Sequence, residues 1–215
     1  MNIIKLKAKH VFAIGDIDED FTDIFDFLKI RELSDSAVIC CLGSNKRLLH
    51  EELLEPMNSY LSQRGVFLYF VGGGHGVAMD FSNIFAVPDY TVLSVQGEHK
   101  DGCRNYLCLG GAPLLDDEVL DELVEEDILI NCVCAHHCPD FCTCIGNYDD
   151  DGERNVMTAI FTKLMIDGHE VDTWTSSRRH NNFWEEIDGV HFLKLNCARG
   201  DIFHMVEITA KETDN

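Results

Sequence analysis

Three apolar runs, HVFAIGD at 10–16, AVICCLG at 37–43 and VFLYFVGGG at 66–74, each stop at glycine, and amphipathic stretches separate them. Near-continuous apolar runs of this length are what strands buried on both faces look like, and such strands need helices over the sheet. The first separator, DFTDIFDFLKI, carries Phe21, Ile24, Phe25 and Leu28 at helical spacing. The second, LHEELLEPMNSYLSQRG, reads as a helix interrupted by Pro56 and closed by Gly65. The opening is therefore βαβαβ. Further on, YTVLSVQGEHKDGCRNYLCLGG reads as a hairpin around a polar turn containing Gly102, and DDEVLDELVEED as an acidic helix burying Val119, Leu120, Leu123 and Val124. A strand ILINCVCA, a helix RNVMTAIFTKLMIDG and strands EVDTWT, GVHFLKLN and DIFHMVEIT complete the chain. With no internal repeat, low-complexity tract or linker, βαβ units mixed with hairpins predict one domain over 1–215: two packed mixed sheets flanked by helices, a four-layer αββα sandwich.

Charge narrows the partners. Seventeen basic against thirty-eight acidic residues give a net charge of −21, so the long-range field repels nucleic-acid backbones and anionic membranes. Bulk nucleic-acid binding is excluded, while one nucleotide could still be held by a local metal or arginine. The N-terminus lacks the apolar run of a secretory signal and no stretch approaches the roughly 20 apolar residues of a membrane helix. The expectation is a soluble, cytoplasmic chain whose oligomeric state is unspecified. The ten cysteines sit mostly inside apolar runs (VICCLG, YLCLGG, INCVCAHH, KLNCARG), which favours reduced thiols packing as small hydrophobes. The cluster CVCAHHCPDFCTC could supply a tetrahedral zinc site, but its spacings do not repeat the paired C-x2-C pattern. In a strand, Cys132, Cys134 and His136 share one face, which equally fits a core strand ending at a site histidine. NYDDDGER lacks the alternating acids of a calcium loop and reads as a solvated turn.

Chemistry in such folds gathers where strands end. Five loops qualify: GDIDED after the first strand, GSN after the second, GGGHG after the third, AHHCPDFC after INCVC, and SSRRHNN after VDTW. Several offer Asp or His, ligand types suited to Zn, Mn or Fe.

In order and spacing these loops resemble the motifs of the calcineurin-like metallophosphoesterases, D-x-H, G-D, G-N-H-[DE], H and G-H-x-H. VFLYFVGGGHG, PDYTVLSVQG, LCLGGAP and AHHCPDFC are similar to the family outside the metal loops as well. The resemblance implies that Asp16 is the first ligand and that Asp18 stands where a His is expected. It makes His75 the histidine that assists the leaving group, and His136 and His180 metal ligands. It also exposes departures: Ser44 replaces the metal-bridging Asp, Gly74 the ligand Asn, Gly76 the following acid and Arg178 the first His of the last motif. The implied centre holds one divalent ion (Mn, Fe or Zn) on Asp16, Asp18 and His180, with or without His136, and a second site weak or absent. Arg178 is then a phosphate-binding residue. The implied ligand is a small phosphate ester or nucleotide, and the implied activity that of a phosphomonoesterase or phosphodiesterase, weak at best. The alternative is a catalytically inactive member serving as a binding or scaffold module. Each residue also has a plainer reading. Asp16 and Asp18 could cap the helix that starts near Asp20, His136 and His180 could be ordinary hydrogen-bonded histidines, and His75 a turn residue among glycines that permit positive φ.

Overall fold

Residues 1–15, 21–41, 51–72, 81–97, 102–110, 114–143, 151–177, 183–195 and 204–209 are described by the structure, a computed structural model. Among these described residues, twelve strands and four helices follow one another as β1 (Asn2–Lys7), β2 (His10–Ile14), α1 (Phe21–Arg31), β3 (Ser36–Cys41), α2 (Glu51–Gln63), β4 (Phe67–Val71), β5 (Ile84–Val87), β6 (Thr91–Gln96), β7 (Cys103–Leu109), α3 (Asp117–Glu125), β8 (Cys132–Ala135), α4 (Asp151–Ile166), β9 (Thr173–Ser176), β10 (Phe183–Ile187), β11 (Val190–Lys194) and β12 (Met205–Glu207). They form a seven-stranded sheet in the order β1-β6-β7-β8-β9-β11-β10 and a five-stranded sheet in the order β12-β2-β3-β4-β5.

Both sheets are mixed. Strands β2 to β5 run parallel and β12 closes their edge antiparallel. In the larger sheet β7, β8, β9 and β11 are parallel, β6 pairs antiparallel to β7, and β10 antiparallel to β11.

Period-two alternation splits each apolar strand between two cores, which is why the runs look continuous in sequence. From β3, Val38 and Cys40 join Ile24, Phe25 and Leu28 of α1 and Leu54, Met57 and Leu61 of α2 in one helix-covered core. Ala37, Ile39 and Cys41 of the same strand face the other sheet, meeting Leu93, Val95, Tyr106, Cys108, Cys132 and Cys134. On the far side, Leu107, Val133 and Trp174 pack under Leu120, Leu123, Met157, Ile160 and Leu164 of α3 and α4. Three cores between four layers make the αββα sandwich. Each fully buried Leu or Ile in them contributes about 1.5–3 kcal/mol.

The helices depart from their sequence reading in detail. Helix α2 runs unbroken through Pro56; Leu54, Met57 and Leu61, three and four residues apart, anchor both sides of the proline in the core. Gly65 closes it as expected, at φ +64°, with Gly65 N–H donating to Ser62 and Val66 N–H to Leu61, the bonds of a left-handed C-cap. Of the face assigned to α3, Leu120 and Leu123 are buried, whereas Val124 is exposed and Val119 only partly covered. The strand read as ILINCVCA begins only at Cys132, because the backbone of Ile130 and Asn131 bonds to His169, Asn105 and Asp172 across the sheet's end. Strands β1, β5 and β10 were not anticipated.

Helix α4 ends on the same type of cap, with Gly168 at φ +82° and the His169 N–H donating to Leu164. This turns His169 inward, where its Nδ1 accepts the Ile130 N–H at 3.3 Å. Burial holds the His169 pKa below its ordinary value, more than the nearby Asp167 can offset. The unfolded chain takes up this proton near pH 6.5 and the folded chain only lower. The stabilisation is therefore complete above that pH and is lost as pH falls through the window below it. The urea midpoint of the wild type should drop more between about pH 7.5 and 5.5 than that of His169→Asn, which keeps an acceptor for Ile130. Equal drops would show that His169 does not carry the dependence.

Candidate functional site

Parallel pairing brings the carboxyl ends of the strands into two rows. In the smaller sheet Ile14 is in register with Cys40, Cys41 with Val71, and Val71 with Val87. In the larger, Leu109 pairs with Ala135, Ala135 with Ser176, and Ser176 with Lys194. Two direct contacts bring the rows together. The Ser177 hydroxyl donates to the Cys41 carbonyl at 2.7 Å, joining the end of β9 to the end of β3 in a buried bond. Gly110, past β7, lies against Gly72, past β4, so closely that a Cβ on Gly110 would clash with the Gly72 Cα. All five strand ends that lead into the sequence-selected loops thus sit on one edge of the sandwich.

His136 is placed there. The ladder continues through it, its N–H donating to Leu109 and its carbonyl accepting from Ser177. Period two keeps its Cβ on the intersheet face with Cys132 and Cys134. The side chain is buried and its ring stands edge-on to His137 at 4.5 Å between centroids. Trp174 Nε1–H fixes the next residue by donating to the His137 carbonyl at 3.1 Å. The other sequence-selected residues, Asp16, Asp18, Ser44, Gly74, His75, Gly76, Arg178 and His180, lie outside the described residues.

The edge contains a carboxylate that the motifs did not select. Asp89 lies where the chain crosses from β5 to β6, and its Oδ1 accepts the Gly110 N–H. Burial raises its pKa, while the Gly110 bond works in the opposite direction. Ser177, the second serine of SSRRHNN, is likewise outside the motif residues and carries a contact between the sheets. Beneath the edge, Cys41, Cys108, Cys132 and Cys134 fill the intersheet core. Burial first, then the neighbouring thiols, pushes Cys41 and Cys108 well above the usual thiol range, and burial with the Cys134 sulfur does so for Cys132. Cys134 shifts the other way, lowered by the hydrogen bonds its sulfur receives from Cys132 and Thr175; the three thiols held neutral pack well and ligate metals poorly. Among the described residues, no three His, Cys, Asp or Glu side chains gather as a metal site.

No family model and no curated protein matches the chain. Solved structures do. The structure of TT1561 of Thermus thermophilus superposes with a TM-score of 0.57 at 10% identity, covering 88% of this chain and 90% of that one. GAP50, the anchor in the inner membrane complex of Plasmodium, gives 0.50 at 14% identity, with 87% of this chain and 71% of that one covered. At these identities the likeness is one of architecture, and the architecture is the metallophosphoesterase-like sandwich. Among the described residues no helix is long and apolar enough to cross a membrane.

The geometry makes the sheet-to-sheet contacts testable. Gly110→Ala forces backbone apart and should cost about 1–3 kcal/mol or more. Ser177→Ala removes a bond to a buried carbonyl and should cost about 1–3 kcal/mol. Urea unfolding monitored by circular dichroism measures both; an unchanged midpoint for either would show that the contact does not hold the edge together.

Proposed function

We propose that the chain is a one-domain, cytoplasmic metallophosphoesterase-like protein that binds a small phosphate ester at the edge where the two sheets are joined. The observation that carries this reading is the convergence of the five strand ends through Ser177–Cys41 and Gly72–Gly110. The motif residues Asp16, Asp18, His75, Arg178 and His180 follow directly from those ends in sequence. In this reading Asp16, Asp18 and His180, assisted by His136, hold one Mn, Fe or Zn ion. An ion held there would polarise a phosphoryl oxygen and lower the pKa of water. Arg178 places its guanidinium fork on a phosphate oxygen, and His75 delivers a proton to the departing oxygen.

Two-metal phosphoesterases hold their ions about 3.5–4 Å apart. Ser44 in place of the bridging carboxylate removes the shared anion that allows this, and Arg178 adds fixed positive charge where the second ion would sit. Hydrolysis is therefore slow or undetectable. The ligand count also favours a second reading, a catalytically inactive binding or scaffold module; GAP50, an anchor in its own complex, has the same sandwich.

Protein purified without chelator should contain at most one equivalent of transition metal by elemental analysis and turn over bis(4-nitrophenyl) phosphate barely above background. The triple change Ser44→Asp, Gly74→Asn and Arg178→His should raise both metal uptake and turnover, each 1.36 kcal/mol of recovered stabilisation appearing as tenfold in rate. Two tight, equivalent sites in the wild type would contradict the single-ion centre. A folded triple variant that gains neither metal nor rate would leave only the scaffold reading.

A further inference from the structure

Strand β10 ends the larger sheet, and among the described residues no strand pairs with its outer side. The hairpin that joins it to β11 fixes where its backbone groups point. Asp188 and Gly189, at φ +51° and +82°, form a two-residue turn with both residues left-handed, which makes Ile187 and Val190 a hydrogen-bonded pair. Bonded pairs recur at every second position, so the backbone of Glu185 bonds to Phe192 and that of Phe183 to Lys194. Trp184 and Glu186 therefore direct their N–H and carbonyl groups away from β11. His191 agrees with this phase: opposite Glu186, it donates its N–H to Asp172 on the other side. The free edge presents two donors and two acceptors, on Trp184 and Glu186.

Side chains add chemistry to that edge. Ile187 packs against the helix-side core, and Glu185 accepts hydrogen bonds from the Thr143 N–H and hydroxyl at 2.9 and 2.6 Å. Positions 183, 185 and 187 thus face the helices, and Trp184 and Glu186 lie together on the opposite face. Trp184 is 69% exposed and Phe183, on the helix face, 39%. From Phe183 to Gly189 the chain carries three acids and no base, and the bases on β11 are His191, 3.7 Å from Glu186, and Lys194, in register with Phe183. Acids alone would guard such an edge; an exposed indole beside them weakens that guard. A second copy of the chain fits poorly. An antiparallel β10–β10 pair that uses the outward groups of both Trp184 and Glu186 opposes Glu185 to its own copy, in a chain already carrying −21.

We infer that the free edge of β10 is a docking site for an extended basic segment of a partner protein, which adds to the larger sheet as a further strand. Main-chain bonds to Trp184 and Glu186 supply the pairing, and alternate side chains of the added strand supply the selectivity. On the face of Trp184 and Glu186 the complementary side chain is arginine, whose guanidinium lies on the indole and pairs with the carboxylate. On the face of Phe183 and Ile187 it is a β-branched aliphatic residue. The negative field of the whole chain draws such a segment in. The inference uses no part of the phosphate-ester reading and stands or falls apart from it.

The probe is the capped peptide VRVRVRV, titrated calorimetrically into the full chain at near-physiological salt, with tryptophan emission followed in parallel. It should bind with a change in the emission of Trp184, and Trp184→Ala should weaken it about fivefold and abolish that change. The same peptide with N-methyl groups on its arginines keeps its charge but loses the donors that face β10, and should bind at least about tenfold more weakly. Glu186→Lys should weaken binding about fivefold or more, whereas Glu118→Lys, the same charge change at an exposed position of α3, should leave it unchanged. No binding of VRVRVRV, or equal binding of the N-methylated peptide or of VEVEVEV, overturns the inference. So does an affinity that Trp184→Ala leaves intact, or one that Glu118→Lys lowers as much as Glu186→Lys. A dimer in sedimentation that Trp184→Ala converts to monomer makes a second copy the occupant and likewise overturns it.

Discussion

The two sheets of this protein touch backbone to backbone at one edge, and the candidate site exists because of that approach. Gly110 can lie against Gly72 only because it carries no Cβ, and Asp89 satisfies the Gly110 N–H that the approach would otherwise strand. Ser177 repeats the device a few strands away by donating to Cys41. Without these contacts the sheets would be spaced by side chains alone, about 10 Å face to face, and loops from different sheets would not share a site. Intersheet bonding at depth, such as Tyr106 Oη–H to the Ile208 carbonyl at 3.0 Å, keeps the rest of the sandwich in register with that edge.

Where burial on both faces dictates composition, the sequence was transparent. Strands β2, β3 and β4 announced themselves as apolar runs stopped by glycine, and α1 by the spacing of Ile24, Phe25 and Leu28, since both signals come directly from period and sterics. Strands β1, β5 and β10, which the sequence did not mark, are all edge strands, although the fourth edge strand, β12, was legible in DIFHMVEIT. Lysines on β1 and Glu185 and Glu186 on β10 are what an edge tolerates, and they erase the pattern that marks an interior strand.

The site was legible only at the level of its loops. Glycine and histidine at strand ends pointed to one edge of the sandwich, and His136 is found on it. Asp89 and Ser177 escaped because their roles depend on partners across the fold, Ser177 being 136 residues away from Cys41 in sequence. No local window contains such a pair. Proline resistance in α2 was hidden in the same way, the helix surviving Pro56 through tertiary contacts of Leu54, Met57 and Leu61.

The thiols between the sheets give the molecule an internal clock. Cys103 is exposed, whereas Cys41, Cys108, Cys132 and Cys134 are sealed between the layers. A small thiol reagent meets the first at the surface, but reaches the other four only when the layers separate. The lag between the two reactions reads out how often the sandwich parts, and it does so with groups the chain already carries.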